Sequence, residues 1–347
     1  MYGSFRSRTL FKSSLIIEVV LQERQLIEKF NHELDVLSNI QIVSPQKWAI
    51  AISGGSDSMA LALLTFMYCK AQKIELYGLI VDHKLRPEST SEASYVQQML
   101  LKHGIESEIL MWQHEGVATR IQEQAREARY QLMADYCNQH HFTHLLTGHT
   151  ANDQLETFWM RLNNGSGLKG LCGIKPFSFQ NNIALLRPLL SFQKEELQEF
   201  LLHNQWSWVE DPSNENVKFE RVRIRKTIQY LKGKQLLSFP SVQRSFSKMV
   251  EAQEFINHQV NEFKHSQLLN QFKLDDFMPL HPYLQKEILV SYLRDLSFKK
   301  YINFSKTIAH ILSLVAFPSF KRTTFAGLII EKKKNIIIFR AENRSRL

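Results

Sequence analysis

Cysteine is scarce in this chain of 347 residues. The three present, Cys69, Cys137 and Cys172, stand far apart with no C-x-x-C pair. That spacing argues against a zinc ribbon, an iron–sulfur site or a disulfide framework, and it fits a reducing, cytoplasmic compartment. No uninterrupted apolar run is long enough to cross a bilayer, so no membrane association is expected. Internal repeats and low-complexity tracts are absent. Acidic residues are missing before Glu18, where Arg6, Arg8 and Lys12 sit among several serines. Residues 1–20 therefore read as a disordered basic extension, weakly similar to a transit peptide and equally compatible with an upstream start codon. Acids are also outnumbered overall: 43 Lys and Arg face 34 Asp and Glu, leaving a formal charge of +9. Such an excess suits a polyanionic partner such as RNA. Hydrophobic content of 44% with 22% charged residues is that of an ordinary globular enzyme, and the length predicts two domains.

What the chain does contain is the stretch Ile52–Leu61, ISGGSDSMAL. Trp48–Ile52 reads as a buried parallel strand and Met59–Leu64 as a helix packed on it. Between them Gly54 and Gly55 let the backbone turn tightly and approach a ligand. Ser53, Ser56 and Ser58 offer hydroxyls, and the free N–H groups of the new helix point at the loop. This corner is an anion site, with phosphate the obvious anion. It carries no lysine and does not match G-x-x-x-x-G-K-S/T, which argues against a Walker-type grip. Asp57 places a carboxylate where a phosphate cradle would want a divalent cation as well. A Gly-Ser turn with a capping Ser or Asp accounts for the same residues.

Strand-like runs alternate with helical ones downstream. Leu76–Val81 is a short buried strand ending in Asp82-His83-Lys84, so His83 sits at a carboxyl strand end, where nucleotides bind in open α/β sheets. Ser89 or Thr90 is a candidate cap for the next helix. Ile105–Met111 is a third strand. In the helix Arg120–Gln139, Arg126 and Arg129 share a face by their i,i+3 spacing, which a solvated face paired with Glu123 or Glu127 also explains. His144–Thr147 is the fourth strand, followed by Gly148, His149 and a helix with Asp153 and Glu156 in its first turn. There the dipole favours carboxylates, so N-terminal capping is a plain alternative to a functional role; His149 could equally be a hydrogen-bonded hinge. After the glycine loop Gly165–Gly173 come a strand at Ile183–Leu186 and a helix at Phe192–Asn204. The alternation predicts a parallel sheet with helices on both faces. A dense basic stretch then runs from Lys218 through Arg221, Arg223, Arg225 and Lys226 to Lys234. It suits a phosphate-backbone track, or a solvated helix face. A boundary is placed near Lys232–Pro240, giving residues 21–232 to one domain and 233–347 to a smaller, mainly helical one. In the latter, helices are expected over Val242–Leu269, Tyr283–Leu296 and Phe304–Val315, and strands over Thr324–Ile330 and Asn335–Phe339.

SGGSDS at Ser53–Ser58 is similar to the PP-loop of the ATP-pyrophosphatase superfamily. The remaining blocks narrow the resemblance. VDHKLRPES at Val81–Ser89, AREARY at Ala125–Tyr130, GHTANDQLET at Gly148–Thr157, the glycine loop, RPLL at Arg187–Leu190, and EDPSN with Arg221 and Arg225 recur in this order in the tRNA(Ile)-lysidine synthase family. The resemblance covers roughly Leu21 to the end. It implies an adenine-nucleotide α-hydrolase-like parallel sheet followed by a helical domain that helps hold tRNA. It also implies a reaction with ATP and Mg2+ in which L-lysine is joined to the wobble cytidine of tRNA(Ile) with a CAU anticodon. On that basis Asp57, Asp153, Glu156 and Arg126 are catalytic candidates, with Asp57 and Asp153 on the metal. Ser53, Gly54, Gly55, Ser56, Asp57, Ser58, His83, Gly148 and His149 would surround ATP, and Arg129, Lys218, Arg221 and Arg225 would bind substrate. No partner protein is required, and oligomeric state, a homodimer included, stays open. Thr150, Asn152, Asn164 and Lys84 depart from the residues usual in the family, as does the short region beyond the boundary. A tRNA thiolase of the same superfamily and a non-catalytic RNA-binding relative are the competing readings.

Overall fold

The computed structural model describes residues 4–38, 47–85, 87–113, 121–210, 219–297 and 305–342. The chain divides into two compact units, Met1–Phe246 and Ser247–Leu347. In the first, α1 (Ser4–Ser38) precedes β1 (Lys47–Ile52), α2 (Ser56–Gln72), β2 (Glu75–Asp82), α3 (Ser89–Lys102) and β3 (Glu106–Met111). The alternation continues through α4 (Ile121–Gln139), β4 (His144–Thr147), α5 (Ala151–Asn163), the single turn α6 (Leu168–Leu171), β5 (Phe177–Gln180), β6 (Ile183–Leu186), α7 (Lys194–His203) and α8 (Glu220–Gly233).

The six strands form one sheet in the order β3-β2-β1-β4-β6-β5. All neighbours run parallel except the edge strand β5, which pairs antiparallel with β6. The chain builds outward from β1 to β3, then returns to place β4 on the other side of β1. This reversal opens a crevice at the carboxyl ends of β1 and β4, where open α/β sheets bind ligands. Both faces are covered, which is why the strands read as continuous apolar runs. Trp48, Ile50 and Ile52 face a core with α2, α3 and α7, while Ala49, Leu79 and Leu145 face Met133, Ala134 and Cys137 of α4. Phe30, Leu34 and Leu37 of α1 pack into the first core at helical spacing. Residues 4–20, expected in a disordered extension, belong to that helix: α1 contains no glycine or proline, and basic charge alone does not end a helix.

The second unit holds most of α9 (Phe239–His265), then β7 (Gln271–Lys273), α10 (Leu274–Phe277), α11 (Pro282–Leu296), α12 (Ser305–Ala316), β8 (Arg322–Phe325), β9 (Leu328–Lys333) and β10 (Ile336–Ala341). Its helices surround an antiparallel sheet in the order β7-β10-β9-β8, with Phe272, Phe277, Tyr292 and Phe339 at the centre. Three expectations are corrected here. The boundary falls at 246/247 inside α9 and not near residue 232, because Pro240 sits in the first turn of α9, where its missing N–H costs nothing. The strand expected over Thr324–Ile330 is two, split by a turn at Ala326 and Gly327, both with positive φ. The helical unit also carries a four-stranded sheet, whose edge strand β7 is too short to leave an alternating pattern.

Candidate active site

The loop between β1 and α2 turns at Gly54, whose φ of 84° is left-handed. A methyl group there would lie 2.7 Å from Val96 Cγ2. Gly54 also accepts a hydrogen bond from the Val209 N–H at 2.9 Å. Gly55 is extended, with φ of −72° and no neighbour nearer than 3.8 Å to such a methyl. The two glycines therefore differ. Gly54→Ala should lose about 1–2 kcal/mol to the backbone alone, plus the clash with Val96. Gly55→Ala should melt with the wild type, and equal melting temperatures for the two variants would contradict this assignment.

The serines divide as well. Ser58 Oγ accepts from the Ser53 N–H at 3.2 Å and donates to Gly55 O at 2.9 Å, so it folds the loop on itself. Ser56 and Ser58 are buried, while Ser53 is exposed and Asp57 half-buried. Gly148, at the end of β4, abuts the first turn of α2: a methyl on it would sit 2.9 Å from Asp57 O. Its absent side chain lets β4 dock on the loop helix, a packing reason for glycine beside the expected ATP contact.

Asp153 projects from the first turn of α5 and Glu156, expected there too, from the second, because the helix begins only at Ala151; their partners come from α8. Arg221 donates to Asp153 Oδ1 at 2.5 Å and to Glu156 Oε2 at 2.5 Å; Arg225 donates to Glu156 Oε1 at 2.6 Å. The Glu156 side chain is 4% exposed and the guanidinium-bearing side chains about a third. Burial works against the charge of Arg221, yet Asp153 and Glu156 outweigh it and hold its pKa above the usual arginine value. Asp153 also closes a capping box, its Oδ2 accepting from the Thr150 N–H at 2.7 Å. Capping and ion pairing thus coexist at Asp153, whereas Glu156 caps nothing. Asp57 belongs to the same cluster. Burial pushes its carboxyl up to about 6, nearby Lys194 pulls it down, and Asp153 pushes it further up.

A group of arginines surrounds His149. Arg129 donates to His83 Nε2 at 3.0–3.2 Å, and burial followed by the proximity of Arg126 lowers its pKa. Arg126 is exposed and lies over the Tyr130 ring at 5.2 Å. His149 hydrogen-bonds Thr147 Oγ1 at 3.0 Å. Its pKa is driven to about 3 by burial and then by Arg187, Arg126, Arg221 and Arg129, so the imidazole is neutral at physiological pH. Arg187, buried at the end of β6, donates to Lys175 O and Ser178 Oγ. It is a candidate the sequence did not single out; its position directly after a buried strand was the available signal.

A family model for the PP-loop domain matches residues 23–231. The tRNA(Ile)-lysidine synthase of Wolbachia pipientis wMel is 32% identical over 305 residues, covering 85% of this chain and 71% of that protein. The chain belongs to the tRNA(Ile)-lysidine synthase family. The synthase of Orientia tsutsugamushi is 42% identical over 193 residues, 56% of this chain but only 43% of that relative's length. Among solved structures, a U34-tRNA thiolase from Methanococcus maripaludis aligns with a TM-score of 0.55 at 19% identity, over 66% of this chain and 78% of its own. At that identity the two share the fold alone.

Of the family's blocks, the PP-loop abuts Gly148, and Asp153 and Glu156 meet Arg221 and Arg225, while residues 211–218 of the EDPSN stretch lie outside the described residues; three adjustments follow. Arg221 and Arg225, expected along a tRNA track, turn inward to the acids, and only residues such as Lys226 and Tyr230 on the outer face of α8 remain exposed. The dense run of charge was legible; which face met the core was not. Asp82 is a structural acid, since Ser89 and Thr90 donate to it at 2.7 and 2.6 Å instead of capping α3. Lys218 lies outside the described residues. Among those described, no three His, Cys, Asp or Glu side chains are placed to hold a metal by themselves. Asp57 nevertheless fits Mg2+, which takes one or two carboxylates together with phosphate oxygens and water. Asp153 fits less well, both its oxygens being engaged.

Proposed function

We propose that this protein joins the ε-amine of L-lysine to C2 of the wobble cytidine of tRNA(Ile) bearing a CAU anticodon, in the cytoplasm. In the first step the cytidine C2 oxygen attacks the α-phosphorus of ATP and pyrophosphate leaves. In the second, lysine attacks C2 and AMP departs. The observation that carries the reading is the meeting of Asp57, on a lysine-free PP-loop, with the Asp153–Glu156–Arg221–Arg225 cluster at the sheet's switch point.

The residue types suit the chemistry. Gly54, Gly55 and the start of α2 receive the phosphates. Bound at Asp57, Mg2+ would supply charge neutralisation at the phosphates. Lysine must lose a proton from an amine whose ordinary pKa is near 10.4, a cost of about 4–5 kcal/mol at pH 7. Glu156 can receive the ammonium in competition with Arg225. His149, neutral and with its pKa driven to about 3, is too weak a base to take that proton. Arg126 and Arg129 face the nucleotide or the anticodon phosphates, and the outer face of α8 together with the second unit carries the tRNA. The thiolase alternative needs cysteine pairs or a reactive thiolate, whereas no two cysteines form a C-x-x-C pair and Cys69 and Cys137 are buried, their thiols pushed up to about 12.

Incubation with ATP, lysine and tRNA should yield AMP and pyrophosphate. ATP–pyrophosphate exchange should require tRNA and not lysine. ADP and inorganic phosphate as the main products would sink the reading, and complete absence of exchange would favour a non-catalytic RNA-binding role.

A further inference from the structure

A phosphate loop works only if its peptides turn N–H groups, and not carbonyls, toward the ligand. In the loop Ser53–Ser58 one peptide can face either way. It joins Gly54 to Gly55, and neither residue has a side chain to hinder its rotation. A trans peptide points its C=O and its N–H in opposite directions, so fixing one aims the other. The tertiary structure fixes the carbonyl: Gly54 O accepts from the Val209 N–H at 2.9 Å. That donor belongs to a firmly held segment. Trp206 is buried and stacks on His103 at 4.1 Å, Ser207 Oγ donates to Met99 Sδ at 3.2 Å, and Trp208 and Val209 pack against the first core. Within the loop, the Ser53 N–H is already spent on Ser58 Oγ. The Gly55 N–H, by contrast, has no hydrogen-bond partner among the described residues. The stretch Trp206–Asn214 reads in the sequence only as a polar loop, because what it contributes is a main-chain group that no residue type announces.

We propose that Val209 is a positioning residue for the PP-loop: its main-chain N–H holds the Gly54–Gly55 peptide with the carbonyl turned away from the phosphates of ATP and the Gly55 N–H turned toward them. This rests on the reading that the loop receives those phosphates. Val209 itself touches no substrate. Released from Val209, the peptide can turn over. That moves φ of Gly55 by about 180° from its present −72°, into the positive region that glycine enters readily and other residues do not. A turned-over loop presents a carbonyl oxygen to a polyanion and binds it poorly. Apparent affinity therefore falls with the fraction of molecules still correctly oriented.

The test uses the full-length protein with the Val209 amide replaced by an ester and the side chain kept, which deletes this one N–H. Binding of ATP and of pyrophosphate is measured without tRNA, turnover with it, and the melting temperature alongside. The ester should weaken ATP and pyrophosphate binding about five-fold, the weight of one net backbone hydrogen bond, and leave the KM for lysine unchanged. The same ester is then made in Gly55→Ala protein. Alanine cannot follow the turned-over peptide, so whatever Gly55→Ala costs by itself, the ester should add less than about two-fold to it. A bond that only packed the segment onto the loop would lower the melting temperature equally in both backgrounds and leave both affinities alone. Unchanged ATP and pyrophosphate affinities in the ester variant would therefore overturn the proposal. An equal ester cost with Gly55 and with alanine in its place would overturn it too, since peptide orientation would not be what the bond controls. If the wild type binds ATP but forms no adenylated tRNA, the functional reading fails while these affinities still decide the role of Val209.

Discussion

Glu156→Gln should unfold at distinctly lower denaturant concentration than the wild type and should lose nearly all lysidine formation. The amide keeps the shape of the side chain but leaves Arg221 and Arg225 without their shared anion at a position that is 4% exposed. Breaking a fully buried pair on one side costs about 3–5 kcal/mol; the arginine side chains here are about a third exposed, and solvent screening reduces the expected cost to about 2–3 kcal/mol. A residue that merely capped α5 would cost about 1 kcal/mol and leave turnover of the folded fraction intact. Turnover should instead fall by about a hundred-fold or more in protein that remains folded. Adenylated tRNA should accumulate, because the carboxylate is assigned to the lysine amine and not to ATP. Near-normal incorporation of lysine at unchanged lysine affinity would return Glu156 to a structural role, with Arg221 and Arg225 as its clients.

Asp57→Asn should do the opposite to stability while also abolishing ATP cleavage. Burial, helped by Asp153, holds the Asp57 carboxyl at about 6 against an ordinary 3.8. The native state therefore binds a proton that the unfolded chain releases at lower pH. Stability contributed at this site is present below about pH 4 and declines as pH rises to about 6. At neutral pH the ionised carboxylate disfavours the ligand-free fold by about 2–3 kcal/mol. An amide carries no such penalty. The variant should melt higher than the wild type at pH 7, and the gap should close as pH falls toward 4. It should also lose the Mg2+ dependence of ATP binding, since the metal-facing carboxylate is gone. A variant that melts lower than the wild type at pH 7, or that still forms adenylated tRNA, would remove Asp57 from the metal and the reaction. The destabilising charge at rest is the expected signature of a group held for a cation that arrives with its substrate.

How much of this was legible beforehand can be judged residue by residue. Buried strands show as apolar runs, so the alternation from β1 to β6 was readable, and with it the parallel sheet and the crevice at its carboxyl end. Only β5 reverses the pattern, as a four-residue edge strand with no run of its own to announce it. The loop at Ser53–Ser58 was readable because two adjacent glycines between a strand and a helix leave few conformations open. The placement of Asp153 and Glu156 on one face of a helix follows from their i,i+3 spacing alone.

What local pattern could not decide was which charges meet. Arg221 and Glu156 lie 65 residues apart, and nothing near either names the other. The basic stretch around them reads the same whether it faces RNA or the protein interior, because charge appears in the sequence and direction does not. The same holds for Lys194, which becomes a neighbour of the PP-loop only once α7 packs against α2, and for Arg187, which joins the arginines around His149 only after β6 pairs with β4. Residue types and short spacings determined the loop, its fold and the kind of chemistry. The partners, protonation and exposure of each charged group were set by tertiary packing, since desolvation and Coulomb interaction depend on distance in space and not along the chain.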